Sequence, residues 1–92
     1  MRDFCPATAH ALRMGSFRIQ VDDGGQVAEA TVTNLKSMDA ACREAVHSAL
    51  LIGRERSAGG QFQQILICRV HDQDTDESRA LYVRIDVGPA EE

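Results

Sequence analysis

Between Ser37 and Gly59, apolar residues recur at the helical interval. Met38, Ala41, Cys42, Ala45, Val46, Ala49 and Leu50 stand at i, i+3, i+4, i+7, i+8, i+11 and i+12. That spacing sets all seven on one stripe, with Ala40, Arg43, Glu44, His47 and Arg54 opposite. Ser37 is the expected N-cap, and Asp39 in the first turn suits the positive end of the helix dipole. Gly59-Gly60 is the expected stop. The stripe is mostly alanine, so the helix can lie close against whatever it covers. Leu51 falls on the polar face, and this packing does not explain it. A helix apolar on one side must find a layer to cover.

The flanking segments supply that layer. Phe17, Ile19 and Val21 alternate with Arg18 and Gln20, the period of a half-buried strand. Asp22-Asp23-Gly24-Gly25 is hairpin-turn chemistry, since glycine accepts positive φ without strain. Gln26–Asn34 reads as the partner strand, with Ala28, Ala30 and Val32 on one face and Glu29, Thr31 and Thr33 on the other. After the helix, Gln61–Asp72 is a third strand. Phe62, Leu66, Cys68 and Val70 share one face; Ile65 and Ile67 share the other with Arg69 and His71. Asp74-Thr75-Asp76-Glu77-Ser78 is a polar turn. Arg79–Val87 is a fourth strand, with Leu81, Val83, Ile85 and Val87 inward and Tyr82, Arg84 and Asp86 outward. The expected fold is α+β: ββαββ, a four-stranded, mostly antiparallel sheet with one helix packed on one face, the hairpins joined by a right-handed crossover.

With 92 residues there is room for one domain, here 15–88, between a flexible N-terminal tail (1–14) and a short C-terminal tail (89–92). Fourteen acidic residues against ten basic ones give a net charge of −4, with the excess late in the chain. From Gln61 onward there are only Arg69, Arg79 and Arg84 against seven carboxylates. No basic field is available for phosphates, so direct nucleic-acid binding is not expected. No apolar run is long enough for a membrane span. Cys5, Cys42 and Cys68 are odd in number and widely spaced, which fits a reducing cytoplasm.

The segment Met38-Asp39-Ala40-Ala41-Cys42-Arg43-Glu44-Ala45, the acidic turn Asp72-Gln73-Asp74 and the final strand around Leu81-Tyr82-Val83 together resemble a family of short bacterial ββαββ domains of unknown function. The resemblance spans Phe17 to Val87. It implies a fold and no catalytic residues.

Motifs for chemistry fail on spacing. Asp72-x-Asp74-x-Asp76 opens like a calcium loop, but Glu77 stands where glycine is needed and Val83 where a bidentate glutamate is needed. Cys68 and His71 point to opposite strand faces, and Cys42 and His47 do not converge on the helix, so no metal site is expected. No Ser or Cys is placed beside a base in a recognisable motif, no glycine-rich loop precedes a helix, and the histidines read as scattered surface residues. The expectation is therefore neither an enzyme nor a cofactor binder.

What remains is a surface. One helix covers one sheet face, so the other would show Arg18, Gln20, Ile65, Ile67, Arg69, Tyr82 and Arg84. Apolar residues beside arginines and a tyrosine match the composition of interface centres. The arginines would need carboxylates, for which Glu29 and Asp86 stand on the same face. The leading expectation is a non-catalytic protein-interaction module that forms a homodimer, or binds another protein, through this face. Two alternatives are a small antitoxin-like or nucleic-acid-linked regulator that binds a basic partner, and a small-ligand-binding domain, which would need a cavity of a few hundred cubic ångströms.

Overall fold

The computed structural model describes residues 15–90 of the chain. The expected N-terminal tail (1–14) lies outside them, as do residues 91 and 92. Four strands and one helix follow in the order β1 (Gly15–Asp22), β2 (Val27–Leu35), α1 (Met38–Ala58), β3 (Gln63–Asp72) and β4 (Ser78–Asp86). The strands form one sheet in the order β2-β1-β3-β4, and every neighbouring pair is antiparallel. The helix therefore carries the chain from the edge strand β2 past β1 to β3. This is the ββαββ α+β fold, and the two hairpins meet along β1 and β3.

Local chemistry sets the boundaries. In the first turn Gly24 has φ +95°, and Asp23 Oδ1 accepts from the backbone N–H groups of Gly25 and Gln26, both at 2.8 Å. Ser37 Oγ accepts from the Ala40 N–H at 3.1 Å, the N-cap bond expected of it. At the other end Gly60, at φ +102°, donates to Ser57 O while Gln61 N–H donates to Arg56 O at 2.9 Å. This paired closure satisfies the last carbonyls and needs a residue without a Cβ at the left-handed position. In the second hairpin Asp72 Oδ1 accepts from the N–H groups of Asp74 (2.9 Å) and Thr75 (3.3 Å).

The core lies between the helix and the two central strands. Phe17, Ile19 and Val21 of β1 and Leu66, Cys68 and Val70 of β3 meet Met38, Ala41, Ala45 and Ala49 of α1. All three alanines are fully buried, which is how the helix sits so close to the sheet. Gly53 continues that line: a Cβ there would overlap Ile85 Cδ1 of β4. Gln64 clamps the layers, the two N–H groups of its Nε2 shared among Gly53 O (3.0 Å), Ser57 Oγ (3.0 Å) and Gln61 O (3.1 Å). Arg56 reaches the first hairpin, with Nη2 2.6 Å from Asp23 Oδ2.

Several sequence expectations need correction. Leu50, placed on the buried stripe, is 49% exposed. Burial runs through Met38, Ala41, Ala45, Ala49 and Gly53, and Leu50 stands about 100° round from Ala49. Ala28 and Ala30 share the helix-side face with Phe17, Ile19 and Val21 through the β1–β2 register, yet both are exposed, because only the Val32–Leu35 end of that edge strand packs against the core. Phe62 and Val87 lie just beyond the ends of β3 and β4, also substantially exposed. Leu51, expected on the outer face, is exposed there.

Candidate functional site

Among the described residues no helix lies on the second face of the sheet, and strand register fixes which residues stand on it. Cross-strand rows read Val27–Asp22–Ile67–Tyr82, Glu29–Gln20–Arg69–Ala80 and Thr31–Arg18–His71–Ser78, with Ile65–Arg84 beyond the first. Arg18, Gln20, Ile65, Ile67, Arg69, Tyr82 and Arg84 therefore share one face. It has two halves, divided along the strands. Toward the Val27–Asp22–Ile67–Tyr82 row and Ile65 it is the more apolar: Ile65 is 57% exposed, Tyr82 is 70% exposed, and Ile67 between them is half-buried. Toward the Glu29–Gln20–Arg69–Ala80 and Thr31–Arg18–His71–Ser78 rows it is polar.

The polar half is partly self-neutralised. Arg18 Nε lies 3.9 Å from Glu29 Oε2, and Gln20 Nε2 donates to Glu29 Oε1 at 2.9 Å. Glu29 thus takes the role expected of it. Asp86 does not: it stands across from Gln63 and makes no ion pair among the described residues. Arg69 instead faces Asp22 at 3.8 Å, a carboxylate the sequence reading assigned only to the turn. These long, exposed pairs orient the side chains and add little stability.

A shallow depression of about 470 Å³ lies on the polar half, where the small Ser78 and Ala80 stand beside Arg18, Arg69, His71 and Arg79. Each of the three arginines already faces a carboxylate; Arg79 Nη1 lies 2.9 Å from Asp39 on the helix. At its rim His71 is not the isolated residue the sequence suggested. Its Nδ1 lies 2.8 Å from Ser78 Oγ and its Nε2 3.1 Å from Asp76 Oδ1. The connectivity is that of a Ser–His–Asp relay. The Asp76 side chain, however, is 92% exposed, so water screens the field it exerts on the imidazole. Counting back from the turn would have paired His71 with Ser78. Only the folded turn, with Asp76 at φ +68°, brings in the carboxylate.

The remaining titratable groups serve the fold. The backbone N–H groups of Gly25 and then Gln26 hold the Asp23 carboxyl below the usual carboxylate range, against the opposing effect of burial. Asp72 is lowered chiefly by the Asp74 N–H. Burial pushes the Cys68 thiol up, and its Sγ–H points at Ala45 O, 3.7 Å away. Among the described residues no three His, Cys, Asp or Glu side chains are placed to share a metal ion, and no helix is long and apolar enough to cross a membrane.

Compared with family models, curated proteins and solved structures, the chain matches none.

Proposed function

We propose that this chain is a cytosolic protein-interaction module of the ββαββ kind whose open sheet face pairs with the same face of a second copy. One observation carries the reading: Ile65, Ile67 and Tyr82 form an apolar strip, two of its members more than half exposed, on the face without a helix. Isolated exposed apolar residues are ordinary, but adjoining ones on a central strand and its neighbour mark contact surfaces. The face is also self-complementary in charge, carrying Arg18, Arg69 and Arg84 with Glu29, Asp22 and Asp86.

The magnitude is sufficient. Taking the strip and its neighbours as about 400 Å² of apolar surface per copy, pairing removes about 800 Å² from water, a gross gain of about 20 kcal/mol at 25 cal/mol per Å². Lost rigid-body freedom and side-chain ordering oppose it by about 4–15 kcal/mol or more. The surplus suits a dimer in the micromolar range. The two alternatives have less support. The depression's arginines already face carboxylates, which weakens the small-ligand reading. Asp22, Asp23 and Asp72, which could meet a basic partner, accept from backbone N–H groups of their own turns.

Ile67→Asp tests the proposal. Light scattering at tens of micromolar should give twice the chain mass for the wild type and the chain mass for the variant, with the variant's circular dichroism unchanged. Wild-type protein at the single-chain mass of 10.1 kDa removes the proposal.

A further inference from the structure

We infer that the outer edge of β4 is a second self-association surface, pairing antiparallel with β4 of another copy about a two-fold axis at Tyr82. This rests on the reading that the chain self-associates, and it adds a surface distinct from the open face.

The backbone bonds at the two ends of the β3–β4 hairpin fix which groups face away from β3. Asp72 N–H donates to Glu77 O at 2.8 Å, and Val87 N–H to Phe62 O at 2.7 Å. Both pairs belong to the same register, and bonded pairs alternate along an antiparallel ladder. Arg79, Leu81, Val83 and Ile85 therefore turn their N–H and C=O groups toward β3. Ser78, Ala80, Tyr82, Arg84 and Asp86 turn theirs outward. These ten backbone groups lie along an edge about 31 Å long, at ~3.4 Å per residue.

Natural sheets blunt such edges with bulges, proline, irregular backbone or charge. The opposite edge has backbone features of this kind: the β1–β2 register shifts between Gly15 and Phe17, and Asn34 near the end of β2 sits at φ +65°. β4 has no bulge or proline, and its charges, Arg79, Arg84 and Asp86, are of both signs. Its nine pairs with β3 run from Gln63↔Asp86 to His71↔Ser78 without a shift, and it contains no proline.

A second copy fits this edge because the pattern is symmetric about Tyr82. Ser78 then pairs with the partner's Asp86, Ala80 with the partner's Arg84, and Tyr82 with the partner's Tyr82, so all five outward residues are bonded on both strands. On the helix side Leu81 meets the partner's Val83. No like charges stand opposite. Moving the centre by one residue loses a bonded pair, and centring on Arg84 sets two guanidinium groups face to face. An edge about 31 Å long and ~10 Å thick presents roughly 300 Å² in projection, well below the ~800 Å² per partner of a standard interface. The edge contact should therefore be weaker than the face contact, forming at hundreds of micromolar. Its axis is perpendicular to the sheet, whereas the face-to-face axis runs parallel to it, so both close in one tetramer where the two axes intersect.

The full-length chain carrying Ile67→Asp isolates the edge. Its sedimentation mass should rise from the chain mass toward twice that value at several hundred micromolar. A mixed-isotope sample should show an intermolecular Hα–Hα contact between Leu81 and the partner's Val83. Adding Ala80→Pro, which deletes an outward N–H and no bond to β3, should hold the mass at the single-chain value. If that variant does not fold, the Leu81–Val83 contact decides alone. Ile67→Asp monomeric throughout, or a rise in mass without the contact, overturns the edge inference and leaves the face reading to its own test. Ile67→Asp that associates like the wild type and shows the Leu81–Val83 contact overturns the face reading and supports the edge.

Discussion

Gly53→Ala in the middle of α1 tests how close the helix lies to the sheet. On an isolated helix the change is favourable, by about 1 kcal/mol of propensity. Here the added Cβ overlaps Ile85 Cδ1, so either Ile85 rotates or the helix lifts, which would lengthen the 3.0 Å bond from Gln64 to Gly53 O. Overpacking of this kind costs about 1–3 kcal/mol. Taking about 2 for the overlap and about 1 for propensity, the single variant should lose about 1 kcal/mol, a fall in Tm of about 4–8 °C for a domain of this size. Ile85→Val removes the obstructing methyl, at its own cost of about 0.5–1.5 kcal/mol. In that background Gly53→Ala should become stabilising by about 1 kcal/mol. Urea unfolding of all four proteins closes the cycle, with an expected coupling of about 2 kcal/mol. Additivity within about 0.5 kcal/mol would refute the overpacking, showing that the end of the Ile85 side chain turns aside without cost.

Other expectations are as direct. Ser37→Ala removes the cap bond to Ala40 N–H and should cost about 1 kcal/mol in urea unfolding, with Ser37→Gly costing only a few tenths. Asp23 and Asp72 have folded pKa values below their unfolded ones. Their contribution to stability is full above the usual carboxylate value of 3.8 and is lost as pH falls through the lowered values. Acid titrations should show a shallower loss for Asp23→Asn than for the wild type. An equal slope would contradict the turn's role. The Cys68 thiol, buried and raised, should react with a thiol reagent at pH 8 only on unfolding, whereas the half-buried Cys42 should react in the native state.

The parts of this molecule legible in its sequence are those fixed within a few residues. Ser37 caps the helix it was read to cap, Asp23 and Gly24 close the first turn, and the alternation of Phe17, Ile19 and Val21 places them under the helix. The seven open-face residues could be grouped because strand period alone assigns a face once a helix is known to cover the other. What failed is set by distance across the fold. Leu50 was assigned to the core because periodicity measures the angle around α1 but not where the sheet beneath it ends. Ala28 and Ala30 carry the right parity for burial, yet the helix covers their edge strand only toward Val32 and Leu35, and strand order is not encoded in parity. The need for a glycine at Gly53 is invisible locally and appears only with Ile85 of β4 beside it. The pairing of Arg69 with Asp22 depends on β1 lying next to β3, which no local pattern specifies.

The central claim is that the apolar strip on the open face is where copies meet. The most direct test is a dilution series of amide spectra from the wild-type protein, from about a hundred micromolar to a few micromolar, near the dissociation range expected of such a pair. Concentration-dependent shifts should fall on Gln20, Ile65, Ile67 and Arg69 and spare Arg43, His47, Leu50 and Leu51 on the outer face of the helix. Spectra that do not change with dilution, or changes confined to the helix, would contradict it.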